Sequence, residues 1–122
     1  MLRAPSAPAK TYVLKRNSGH FDARVHLWLA GFAAQQVVSV DDVVAAIRSV
    51  PHAHLAGLRG VIYDPERATR DLTAYPELWS FTVKGAFFRQ ERCVVVYQFE
   101  SLPKFRHILF HEIGHYVFFS LL

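Results

Sequence analysis

Cysteine is nearly absent from this chain. Cys93 is the only one in 122 residues, so no internal disulfide can form. It precedes the apolar run Val94-Val95-Val96, and nothing nearby in sequence would lower its pKa. A buried, inert thiol is expected there, not a nucleophile. Long apolar runs are missing as well. No window reaches the roughly 20 residues of a membrane span, and the nearest approach, residues 25–38, is interrupted by His26, Gly31, Gln35 and Gln36. The leading Met1-Leu2-Arg3 runs into Ala, Pro and Ser without the apolar stretch of a secretory signal. A cytoplasmic protein with no membrane partner is the expectation. A concentrated basic face is lacking too. The net charge is +4 and the pI near 9.5, but Arg3, Lys10, Lys15, Arg16, Arg89 and Arg92 are scattered. A mildly cationic surface is expected, and no nucleic-acid partner.

What is present is apolar and aromatic. The chain is 52% hydrophobic and 20% charged, with ten Phe, five Tyr and two Trp, enough for one domain around one core. Residues 1–17 read as a flexible arm, rich in Pro and Ala over the first ten, and residues 18–122 as a single domain. Phe21, Val25, Leu27, Leu29 and Phe32 fit a helix or a strand, with helix favoured. From Ser39 the pattern sharpens. Ser39 and Asp42 have the spacing of a capping box, Asp41 and Asp42 suit a helix N-terminus, and Val40, Val43, Val44, Ile47 and Val50 recur at helical period until Pro51. His52 and His54 follow in a loop, where solvated histidines are more common than a metal pair. Residues 58–63 and 79–83 read as strands, with a polar loop between them. Gly85 to Phe88 and Cys93 to Phe99 read as a hairpin turning at Gln90-Glu91. Pro103, just after Ser101-Leu102, fits the first turn of a last helix. The expected architecture is α+β: a small twisted sheet of three or four strands, mixed or antiparallel, with a packing helix at 40–50 and the last helix below the sheet.

That last helix carries the chemistry. It contains His111-Glu112-Ile113-Gly114-His115, the HExxH pattern of zinc hydrolases. Residues four apart lie on one helix face, about 6 Å apart along the axis, so two imidazoles can converge on one ion. Glu112 stands beside the first ligand, where its carboxylate can take a proton from an attacking water. Composition alone yields the pattern in roughly two of a hundred shuffled chains, and the apolar setting of Ile108, Leu109, Ile113, Tyr116 and Val117 narrows it further. The competing reading is an ordinary buried helix with hydrogen-bonded histidines. Gly114 costs about 1 kcal/mol against Ala inside a helix, so close approach of another backbone is expected there. His107 completes a row of three, but 107 and 115 are about 12 Å apart along the axis. It is expected at the surface or in support of the site, not as a third ligand.

His111-Glu112-Ile113-Gly114-His115-Tyr116 resembles the active-site helix of gluzincin-type zincin metallopeptidases, the thermolysin kind. In that family an edge strand and a short apolar strand lead into the helix, and Gly85-Ala86-Phe87-Phe88 followed by Val94-Val95-Val96-Tyr97 is similar. Residues 43–63 also resemble small domains of the anthrax lethal factor type, as a pattern of helix, Pro and strand. The resemblance implies Zn2+ held by His111 and His115, Glu112 as general base, and an extended peptide or protein substrate pairing with residues 85–88. The family takes a third ligand, usually Glu, from downstream, and here seven residues follow His115. The domain is therefore expected to be incomplete at its C-terminus, and the isolated chain to bind zinc weakly and hydrolyse little. The metzincin branch would place a glycine at position 118 and a histidine at 121, where this chain has Phe118 and Leu121. Two other readings keep the motif. One is a regulatory metallopeptidase acting on a repressor-type partner, with two helices of a DNA-binding region within residues 18–50. The other is a non-catalytic interaction domain retaining the motif as a relic.

Overall fold

The computed structural model describes residues 19–67 and 84–121. The expected arm at 1–17, most of the loop after Asp64-Pro65 and the strand at 79–83 lie outside them. Five strands form one mixed sheet: β1 (Gly19–Asp22), β2 (Leu27–Ala30), β3 (Gly60–Tyr63), β4 (Gly85–Phe88) and β5 (Cys93–Val96). Their order is β1-β2-β3-β5-β4. The central pairs β2–β3 and β3–β5 are parallel, and the outer pairs β1–β2 and β4–β5 antiparallel. The α+β expectation holds, with one or two more strands than expected.

The extra strands come from the segment read as helical. Asp22 ends β1 and organises the turn: its carboxylate accepts from the Arg24 backbone N–H at 2.9 Å and from Arg24 Nε and Nη2 at 3.0 and 2.7 Å. Its carbonyl accepts from His26 N at 2.8 Å, and His26 takes the left-handed conformation at φ 55°. This is an Asp-led turn, and it converts a doubtful period into a hairpin. Among the described residues 19–50 there is one α-helix, so the second helix of a DNA-binding pair is not found there. Arg24 Nη1 also donates to Asp41 at 2.8 Å, tying the turn to the next helix. The Arg24 guanidinium holds the Asp22 carboxyl well below the usual carboxylate range. The pair therefore contributes stability above the ordinary carboxylate pKa and loses it as pH falls below about 4. In thermal melts, the advantage of the native chain over Asp22→Asn should be full at neutral pH and shrink steadily below that value.

Helix α1 (Val40–Arg48) starts as the spacing predicts. Ser39 Oγ accepts from Asp42 N at 3.0 Å, and Asp42 Oδ2 accepts from Ser39 N at 3.0 Å. It buries Val43, Val44, Ala46 and Ile47 on one sheet face. A short 3-10 turn, His52–Leu55, leads back towards β3. Helix α2 (Leu102–Tyr116) opens on Ser101, whose Oγ accepts from Lys104 N at 3.3 Å, with Pro103 in its first turn. It packs beside α1 against Leu27, Leu29, Val61, Val94 and Val96. On the opposite sheet face Ala30, Ile62, Ala86, Phe88, Cys93, Val95 and Tyr97 form a second cluster. Strand β5 is buried on both faces, which is why its sequence is an unbroken apolar run and not an alternation.

Candidate metal centre

The geometry of the site follows from how α2 lies on the sheet. Phe105, Ile108, Leu109, Glu112, Ile113 and Tyr116 are buried at spacings of three and four, the stripe a packed helix presents. Glu112 is the one carboxylate in it, with 7% of its surface exposed. His107, His111 and His115 fall on the exposed flank beside it. His111 and His115 converge: their Nε2 atoms are 3.0 Å apart, with ring planes at 89°. At that distance the two nitrogens share either one N–H···N hydrogen bond or one cation. Tetrahedral zinc, with bonds of about 2.0–2.1 Å, sets two ligand nitrogens roughly 3.3 Å apart. The pair fits after an opening of a few tenths of an ångström, within the reach of two exposed side chains. Among the described residues no third His, Cys, Asp or Glu joins it.

Strand β4 lies against the carboxylate side of the helix. A Cβ added to Gly85 would stand 2.8 Å from Ile108 Cγ2, 3.1 Å from the Val95 carbonyl oxygen and 3.4 Å from Glu112 Cγ. Glycine is what lets the strand come down onto Glu112. Ile108 Cγ2 sits on a stiff branched carbon and cannot swing aside. Gly85→Val should accordingly cost about 1–3 kcal/mol by overpacking, measured by urea denaturation, and push the strand off the helix.

The position of β4 in the sheet gives it a second property. Among the described residues no strand lies beyond it. Tyr97 N donates to Lys84 O at 2.8 Å, one step along the register in which Gly85 faces Val96 and Ala86 faces Val95. Bonded and non-bonded pairs alternate in an antiparallel ladder. Ala86 and Phe88 therefore bond to β5, while the main-chain N–H and C=O of Gly85 and Phe87 point away from it.

The end of α2 is held from the other side. Tyr116 donates its hydroxyl to the carbonyl of Ala56 and meets the Phe87 ring edge-on at 5.4 Å between centroids. Burial pushes its phenol pKa up, against a smaller opposing effect of Arg92. Gly57 beside it sits at φ 81°, and a Cβ there would come within 2.9 Å of the Tyr116 hydroxyl. Tyr116 thus fixes the axial position of the helix one residue after His115. Sequence reasoning missed this role; the signal available to it was Ala56-Gly57 following a Pro-bounded turn.

Other expected features fall elsewhere. His52 lines a cavity of about 230 Å³ with Arg24, His26, Arg48 and Leu55, while His54 is not part of its lining. That cavity holds none of the three motif residues. Cys93 is buried and its thiol is pushed up to about 12, chiefly by desolvation, as an inert core thiol should be. His107 is exposed, four residues before the pair. Gly114 overturns an expectation: it is exposed, and nothing among the described residues lies within 4 Å of where its Cβ would be. No backbone of another described element approaches it. Gly114→Ala should therefore raise stability by about 1 kcal/mol through helix propensity alone, readable as a shifted denaturation midpoint with an unchanged slope. Among the described residues no helix is long and apolar enough to cross a membrane.

Comparison with protein-family models, with curated proteins and with solved structures yields no match for this chain, so its own geometry carries the functional argument.

Proposed function

We propose that the chain carries the metal-binding and substrate-binding core of a zinc-dependent metallopeptidase of the zincin type. One observation carries this reading: two exposed imidazole nitrogens 3.0 Å apart on one helix flank, with a buried carboxylate on the adjoining face beneath β4, the outermost strand among the described residues. His111 and His115 hold the ion through Nε2. A bound zinc supplies Lewis acidity, which acidifies water and polarises a carbonyl. Glu112 takes the proton from the attacking water and returns it to the departing amine. An extended peptide lies along β4, its main chain bonding to Gly85 and Phe87, while Ala86 and Phe88 stay engaged with β5. The third protein ligand of this reading comes from outside the described residues.

A second reading is a metal-binding interaction domain without hydrolysis, and it is favoured by the absence of a third ligand among the described residues. One experiment separates the two. The chain, in the longest form the gene encodes, is incubated with an unstructured protein substrate, stripped with a chelator and reconstituted with zinc. Cleavage that disappears and returns with the metal supports the peptidase. Zinc binding without any cleavage supports the interaction domain. A narrow requirement for one repressor-type partner would mark the regulatory form of the peptidase.

A further inference from the structure

We propose that Phe119 is a positioning residue for the metal-binding pair, holding the His115 imidazole in its ligating orientation by stacking; this rests on the metal site proposed above. Phe119 is 52% exposed, like its neighbour Phe118 at 65%, so what singles it out is its ring geometry and not its exposure. It belongs to neither apolar cluster, although Val117 packs against the first of them. Its ring partners among the described residues are His115, stacked at 5.9 Å and 18°, and Phe118, edge-on at 4.9 Å. The segment Val117–Leu121 is π-helical and begins directly after α2. A π-turn is wider than an α-turn and occurs mostly as short insertions, often at functional sites.

The consequence for His115 is geometric. Its ring meets His111 perpendicularly at a centroid distance of 4.6 Å and Phe119 nearly parallel at 5.9 Å. An exposed imidazole otherwise turns freely about two side-chain torsions, and ordering it costs entropy on binding. Bounded on one side by the partner ligand and on another by a parallel ring, His115 is ordered before the ion arrives. Metal coordination also draws electron density from the imidazole, which strengthens its attraction to the negative face of a benzene ring. The stack therefore favours the loaded state over the empty one.

The test uses the whole chain and zinc alone as the probe, in calorimetric titrations of the native protein, Phe119→Leu and Phe119→Tyr. Phe119→Leu, which keeps an apolar side chain but removes the ring, should weaken zinc binding by roughly two- to tenfold. Phe119→Tyr should stay within about twofold of native, because the ring face is retained. Thermal midpoints of all three should agree, since the residue lies outside the core. In nuclear magnetic resonance spectra of the metal-free chain, Phe119→Leu should move the His115 ring protons downfield, as an overlying ring current is lost, and leave those of His107 in place. Native zinc affinity in Phe119→Leu, or an unmoved His115 signal, overturns the inference. Failure of the native chain to bind zinc through His111 and His115 instead overturns the metal site itself, a separate result.

Discussion

Replacing Glu112 by Gln should lower peptide hydrolysis by about 10²–10⁴-fold, the usual share of a general base, while the zinc content stays that of the native protein. The argument lies in the two faces of α2. The imidazoles stand on the exposed flank, and Glu112 belongs to the buried stripe next to them, under Gly85. The carboxylate therefore stands on the face adjoining the two imidazoles, where a general base has to be to reach the proton of an attacking water. Gln keeps the volume and the hydrogen-bonding capacity but cannot accept and return a proton at neutral pH. Activity and metal content should therefore separate. If zinc leaves with the substitution, Glu112 is a ligand and the assignment of roles is wrong. If activity survives, the proton goes elsewhere and the zincin reading loses its central residue.

The parts of this molecule that were legible beforehand are those whose signals are local. Ser39 and Asp42 announce α1 because a capping box is a short-range event, and Val40 to Ile47 continue it with an unambiguous period. The unbroken Val94-Val95-Val96 marks a strand covered on both faces, and Ser101 with Pro103 marks the start of α2. The His111–His115 spacing implies convergence from helix geometry alone, and the rings do converge. What was not legible depends on partners distant in sequence. Phe21, Val25, Leu27, Leu29 and Phe32 satisfy two periods about equally. The choice between them is made by the Asp22–Arg24 turn and by the parallel pairing of β2 with β3, in which Trp28 faces Gly60. Gly114 was misread for the same kind of reason. A helical glycine implies either close contact or open space, and only the fold says which. Gly85 is the converse case, a glycine in a strand whose neighbour across space, Glu112, cannot be inferred from its neighbours in sequence. Phe119, by contrast, follows His115 at the i, i+4 spacing that puts helix neighbours on one face, a signal that is local and that the stacked rings bear out.

Phe105→Ala should destabilise the domain by about 3–5 kcal/mol, the largest stability effect of any substitution considered, and should impair metal binding without touching a ligand. Phe105 is fully buried in the first turn of α2 and meets Phe32 and Phe99 edge-on at 5.7 and 5.1 Å. Through Phe32 it grips the chain leaving β2, and through Phe99 the chain leaving β5. It is thus the clamp that sets where α2 begins. Six residues later the same helix presents His111, and in the unfolded chain the pair has no fixed separation. Zinc affinity and folding are therefore linked, and a ligand that binds only the folded form returns stability as RT ln(1 + [Zn]/Kd). The melting midpoint of Phe105→Ala should accordingly rise as zinc is added. His111→Ala combined with Phe105→Ala should lose that rise while starting from nearly the same midpoint, because His111 is exposed and contributes little to packing. A rise that persists in the double variant would locate the ion elsewhere. No rise in either, at zinc concentrations that saturate the native chain, would mean that the histidine pair does not report on the folding of α2.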